Sequence, residues 1–402
     1  MNSRSAICRL CAFAVLSAAS FLSAMSPQVS ARPAASQAQC GGWKVAPAAN
    51  PASQNGALNA VTAISPGDAW AVGSNEFGSA AVEHWNGHGW TIVAAPSPPG
   101  STLYSVSGVS RDNVWAVGET NEGGSKSWSL IEHWNGKVWR RVPSPALPNA
   151  QLNSVFARTP HDIWAVGEKW IVQQSNSRGL IEHWNGQKWS FVKSPQTDKL
   201  TARQLESVTA VSAHAPWAVG SDDFNNPVIE HWNGRRWSAV PAGYLPQQIE
   251  LHAVAAKSPT NVWAVGQGGQ YSRAVAEHWN GRLWSVHDTA FIHVGRTGYL
   301  SSELDSVTPG AGNQMWAVGS QTNEEGADQA LVERWNGRRW RVVGGGMHPA
   351  AHGLYTDLYG VAASASRPSG IWAVGAVGEG PGGFPPGPGV VEQTLTSRWN
   401  GA

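Results

Sequence analysis

Cysteine is nearly absent from this 402-residue chain: Cys8 and Cys11 stand in the first dozen residues, and Cys40 is the only one beyond them. A single thiol forms neither an internal disulfide nor a cysteine metal cluster, so packing alone must hold the fold. Charge is also scarce. Charged residues are 14% of the chain and the net charge is +1, with no long run of either sign, whereas soluble chains usually carry roughly 25%. A phosphate-tracking groove is not indicated, and nucleic acid is not an expected partner. Nor does any apolar run match the about 20 strongly apolar residues of a membrane-spanning helix. The nearest approach, Cys11 to Leu22, follows Arg4 and Arg9 and is interrupted by Ser17 and Ser20. With the small residues Val29-Ser30-Ala31 behind it, this stretch reads as a secretory signal peptide over residues 1–31. Export is therefore expected, with the membrane met only before cleavage. Residues 32–39 hold little to bury and read as a linker to an ordered domain over 40–402.

Glycine (45), proline (25) and tryptophan (23) are abundant, which points to short strands and many turns. The tryptophans fall in a pattern. Trp-Asn-Gly followed by a second tryptophan five residues after the first recurs at Trp85, Trp134, Trp184, Trp232, Trp279 and Trp335. A seventh copy, Trp399-Asn400-Gly401, is incomplete, and Gly41-Gly42-Trp43-Lys44-Val45 supplies the missing half. Asn-Gly between apolar runs signals a tight hairpin, here expected as a type I′ turn. Such a turn puts Trp134 opposite Lys137 and Glu132 opposite Trp139. Lys137, Arg235, Arg282 and Arg338 would then face the first tryptophan in cation–π contact, as ordinary blade surface.

Trp-Ala-Val-Gly precedes each hairpin, at Trp70, Trp115, Trp164, Trp217, Trp263, Trp316 and Trp372. Ahead of each lies Leu-x-small-Val, from Leu58, Leu103, Leu152, Leu205, Leu251, Leu304 and Leu358. Each unit thus has four strands: a (Leu-x-small-Val), b (Trp-Ala-Val-Gly), c (ending in Trp-Asn-Gly) and d (opening at the last tryptophan). Seven such units closed by the termini predict an all-β, seven-bladed β-propeller of four-stranded antiparallel blades, with the N-terminal strand completing the last blade.

Connection lengths separate two faces. From the strand a valine to the strand b tryptophan is nine residues in six units and eleven in the last, whereas b to c spans 15–27 and d to a 16–23. The variable connections share one face of the disc, where a rigid scaffold usually carries its binding site.

An apolar strand ending in glycine, an aromatic closing one strand and a tryptophan opening the next, as Trp115-Ala-Val-Gly118, Trp134 and Trp139 do, resemble kelch and galactose-oxidase-like propellers. The second glycine of the kelch pair is replaced by Ser74, Glu119, Glu168, Ser221, Gln267, Ser320 and Ala376. The resemblance implies the architecture. The copper chemistry of galactose oxidase needs a tyrosine–cysteine cross-link and is not carried over, since Cys40 falls in the closing strand. The turn also resembles in position the Asp-containing turn of sialidase-type propellers, but lacks its Ser and Asp.

Glu-His before the strand c tryptophan (Glu83-His84, Glu132-His133, Glu182-His183, Glu230-His231, Glu277-His278) reads as inter-blade hydrogen bonding that satisfies buried groups such as indole N–H, rather than as a metal ring. Arg334 and Arg398 stand in for histidine in the last two units. The x of Leu-x-small-Val is Asn59, Tyr104, Asn153, Glu206, His252, Asp305 and Tyr359, polar or amphipathic every time, and is expected to ring the mouth of the central channel. The two tryptophans outside the repeat, Trp128 and Trp170, are placed in b–c loops of the same face, with Phe77, Phe224, Tyr244 and Tyr271 as further aromatic surface. Candidate ligand-binding residues are accordingly Trp128, Trp170, Tyr104, Glu206, His252, Asp305 and Tyr359. No nucleophile, metal or cofactor motif is present, and no cofactor is expected. An enzymatic reading, a polysaccharide- or glycoside-acting site at the axis, would have to use Glu206, His252, Asp305, His293 and Tyr359. The leading expectation is a secreted, monomeric, non-catalytic propeller recognising a glycan or an extracellular protein; the third alternative is a structural surface protein.

Overall fold

A computed structural model of the chain describes residues 42–49, 56–75, 78–122, 124, 126–145, 148–171, 176–195, 203–243, 248–269, 272–290, 301–322, 328–343, 354–364, 367–379 and 392–399. The expected signal peptide and linker, and Cys40, His293, Phe77, Tyr244 and Tyr271, lie outside them. The described residues form twenty-eight strands in seven four-stranded sheets, each in the order a-b-c-d with antiparallel neighbours. Blade 2 is representative: Ser101–Ser110, Asn113–Thr120, Trp128–Trp134 and Trp139–Arg141. Blade 7 is completed by Trp43–Ala46, which pairs with the C-terminal strand, Trp43 opposite Trp399 and Ala46 opposite Thr396. Strand a of every blade packs against strand a of the next, round to blade 1, so these strands line the axis and the short d strands form the rim.

The three tryptophans per unit meet between blades. Trp70 of blade 1 lies 4.8 Å from Trp134 and 5.3 Å from Trp139 of blade 2, the latter edge-on. The same trio recurs at every boundary, including Trp316 with Trp43 and Trp399, and Trp372 with Trp85 and Trp90. Edge-to-face aromatic pairs add to the burial of large rings. The repeated tryptophans are therefore the adhesive of a disc whose described residues include no cysteine.

The hairpin differs from the expected turn. Trp134 pairs with Trp139 and Glu132 with Arg141, which leaves a four-residue loop, Asn135 to Val138. Asn135 Oδ1 accepts the backbone N–H groups of Lys137 and Val138, and only Gly136 takes positive φ, at 89°. An asparagine that caps its own turn this way needs no left-handed conformation itself. The cations consequently sit in the loop, out of reach of the rings. Among the described residues the cation–π contacts are instead those of Arg334 over Trp316 at 5.4 Å and of Arg398 over Trp372 at 5.2 Å, with Arg398 also 6.0 Å from Trp85. These arginines occupy the place that histidine has elsewhere: His133 stacks on Trp115 at 4.2 Å, and its Nε2 lies 3.2 Å from Asn113 Oδ1.

The Glu-His glutamates are inter-blade groups, but indole N–H is not what they bind. Glu132 accepts from Ser97, Glu182 from Ser144, Glu230 from Ser194, Glu83 from Ala49 N, Glu277 from Gly243 N and Glu333 from Ala290 N. In each case a strand c glutamate holds the connection that leaves strand d of the preceding blade. Several indoles, Trp70, Trp164 and Trp217 among them, have no acceptor among the described residues and face aromatic rings instead.

Candidate binding mouth

In all seven blades the pairing of strands a and b slips by one residue between the leucine and the small residue of Leu-x-small-Val. The x residue is therefore the extra residue of a β-bulge, a device that re-aims a side chain. The glycine of Trp-Ala-Val-Gly is its counterpart. A Cβ on Gly73 would lie 1.9 Å from the Ala57 carbonyl oxygen, and the equivalent glycines meet the same obstacle at 1.9–2.1 Å. The bulge drives the inner strand onto its neighbour, and only glycine leaves room.

The bulged side chains join blades at the axis. Asn59 Nδ2 donates to the Leu103 carbonyl, and Asn153 Nδ2 donates to the Leu205 carbonyl and to Glu206 Oε2. His252 Nδ1 lies 3.1 Å from Asp305 Oδ1 of the next blade, while its Nε2 lies 3.8 Å from Glu250 Oε2. Tyr104 donates to Glu119 Oε1 at 2.7 Å, and Tyr359 to Asp357 Oδ2 at 3.5 Å. Glu206, His252 and Asp305 thus come together, with Asn153 beside them. Tyr104 is held by its own blade near Glu119, and Tyr359 beside Asp357.

A second tier of side chains escapes the sequence reading: the residue before each leucine. Two positions from x, it shares the face that x occupies while the leucine between them is buried. It is Ala57, Thr102, Gln151 and Gln204 in blades 1 to 4, but Glu250, Glu303 and Asp357 in blades 5 to 7. The end of strand b adds Glu119 and Glu168. Its signal in the sequence is an acid at one register position in three consecutive units, just outside the repeated motif.

Electrostatics follow from this crowding. Burial, reinforced by Glu168 and Glu250 against His252 and Asn153, pushes Glu206 up to about 7. Burial, with Asp328, Asp305 and Glu303 nearby, pushes Asp357 up to about 7. Glu303 and Glu168 are raised by burial and by further carboxylates. Burial would lower His252, but the hydrogen bonds with Asp305 and Glu250 outweigh it and raise the imidazolium to about 10. Glu250 is lowered, first by its contact with His252. Among the described residues, the charges that shift Glu168, Glu206, Glu303 and Asp357 are other carboxylates and His252.

His252, Glu303 and Asp305 bring one nitrogen and two carboxylate oxygens within 4.8 Å of one another, the donor set of a divalent ion. The contacts just described already use His252 as the cation of that cluster.

The aromatic candidates lie in strands rather than loops. Trp128 opens strand c of blade 2, half-buried and bridged to Pro148. Trp170 is the penultimate residue of strand b of blade 3, 45% exposed, and its backbone N–H donates to the Asn149 carbonyl. Both flank the 148–149 segment. Phe224, in the blade 4 b–c connection, is 60% exposed.

No family model and no curated protein matches the chain. Among solved structures it is similar to YCF48 from Cyanidioschyzon merolae (16% identity, TM-score 0.55, 89% of this chain and 98% of that one). It is also similar to a YCF48 bound to D1 peptide (13%, TM-score 0.54, 90% and 96%). A third is the GH74 xyloglucanase of Xanthomonas campestris (14%, TM-score 0.55, 87% and 55%). These likenesses establish the seven-bladed fold, which a peptide-bound protein and a glycoside-acting enzyme share.

Proposed function

We propose that this chain is an exported, non-catalytic binding propeller whose loop face captures an extracellular protein segment and seats a lysine or arginine of it in the axial mouth. One observation carries the reading: carboxylates from blades 3 to 7 converge there, and among the described residues the positive charge acting on Glu206 and Glu303 is that of His252. An entering ammonium or guanidinium group relieves that repulsion, and clustered charge of one sign speeds encounter with the opposite sign. A fold neighbour described with a bound peptide is in keeping with this use of the scaffold. Selection of a displayed random-peptide library against the full chain tests it. Enriched peptides should carry basic residues and lose binding to a Glu206→Gln/Glu303→Gln/Asp357→Asn variant; enrichment without basic residues contradicts the reading.

A glycan is the second reading, favoured by the exposure of Trp170 beside half-buried Trp128. Stacking on an aromatic face is how a sugar ring would dock there. Trp170→Ala should abolish binding found in a polysaccharide screen if that reading holds, and leave it intact if it does not.

A further inference from the structure

The face opposite the mouth has the opposite charge. It carries the a–b and c–d turns, and the c–d turns of blades 2 to 6 present Lys137, Lys188, Arg235, Arg236, Arg282, Arg338 and Arg339, all exposed. In blades 4 to 6 neither turn of any blade contains a carboxylate: residues 211–215, 259–260 and 310–314 join strands a and b, and 233–236, 280–283 and 336–339 join c and d. His214 adds to the same stretch. None of the five arginines forms an ion pair among the described residues. Their backbones are nevertheless fixed, because Asn233 Oδ1 accepts the N–H groups of Arg235 and Arg236 at 3.0 Å each. Asn280 and Asn336 do the same for Arg282 and for Arg338 and Arg339. A net charge of +1 therefore conceals a polarised disc, acidic at one mouth and basic along the rim of the other face.

We infer that this arc is a docking surface for a linear polysaccharide bearing carboxylate or sulfate groups. Arginine presents a planar fork that takes an oxyanion through two hydrogen bonds, and five in three consecutive blades form a repeated array that a repeating anion can follow. A lipid surface fits less well, because only Leu283 gives these three turns an exposed apolar tip, at 55%. The inference is independent of the mouth: the two ligands have opposite charge and opposite faces.

The test is binding of the full chain to heparin decasaccharide and to polygalacturonate oligomers, from 50 to 200 mM NaCl. Affinity should fall by about a hundredfold over that range if all five arginines release counterions. An Arg235→Gln/Arg236→Gln/Arg282→Gln/Arg338→Gln/Arg339→Gln variant that still melts cooperatively should lose the salt-dependent binding, while Glu303→Gln keeps it. If that variant misfolds, the pairs Arg235→Gln/Arg236→Gln and Arg338→Gln/Arg339→Gln should each lower the salt slope. No binding to either polymer, an unchanged slope, or tighter binding to phosphatidylglycerol vesicles or duplex DNA overturns the inference.

Discussion

His252 of blade 5 reaches across a blade boundary to Asp305 of blade 6, Nδ1 to Oδ1 at 3.1 Å, with Glu250 on its other side at 3.8 Å. The imidazolium is thus the internal counter-ion of an acidic ring. Replacing it with glutamine keeps a hydrogen-bond donor and removes the charge. His252→Gln should lower stability by about 1–3 kcal/mol at pH 7, and by less at pH 5, where Glu206 and Asp357 are protonated. Thermal melts at the two pH values check this; an equal loss at both contradicts the counter-ion role.

Buried strand c glutamates give the fold a pH dependence. Burial raises Glu182 and Glu277 to about 7 and Glu333 to about 8, against hydrogen bonds from Ser144, Gly243 N and Ala290 N. The folded chain holds these protons more tightly than the unfolded chain, whose carboxyls titrate near 4.5. Their stabilising contribution is complete below that value and is lost as the pH rises through 7 to 8. His252, also raised, changes in the same direction above 6.5. His133, His231 and His278, lowered by burial, oppose this only below 6.5. Tm should therefore fall between pH 6.5 and 8.5, and Glu333→Gln should flatten the fall.

The glycine facing each bulge has no room for a side chain. A Cβ at Gly167 would stand 2.1 Å from the Gln151 carbonyl oxygen, and both groups are backbone. Gly167→Ala should cost about 1–3 kcal/mol or more, seen as a lower urea midpoint. Gly89→Ala, with nothing within 4 Å of its Cβ and no positive φ, should be nearly neutral.

The fold was largely legible in the sequence because every blade repeats the same solution: three tryptophans, one glycine and one bulge. The unit count, the four strands and the closure through Trp43 all follow from that repetition. The turn was misread because Asn-Gly is the usual two-residue hairpin signal, and nothing local announces that Asn135 caps a four-residue loop. Repetition also hid the site. Glu250, Glu303 and Asp357 stand one residue ahead of a repeated motif, and their meaning emerges only when neighbouring bulges bring them together. Trp128 and Trp170 fall in strands because strand c of blade 2 and strand b of blade 3 run longer than the motif shows.

Closure has its own test. Trp43 is buried between Trp316 and Trp399, at 6.0 and 5.7 Å. Trp43→Ala should cost about 3–5 kcal/mol, and amide exchange should rise first in strands a to c of blade 7. Uniform exchange around the ring contradicts the role of Trp43 as the clasp.

The acidic mouth is tested most directly by calorimetric titration of the full chain with a hexa-arginine peptide at low salt, beside the Glu206→Gln/Glu303→Gln/Asp357→Asn variant. Saturable binding by the parent chain is expected, weakened at least about tenfold in the variant, since each lost charge pair is worth on the order of 1 kcal/mol. Equal binding by both proteins, or none by the parent, contradicts it.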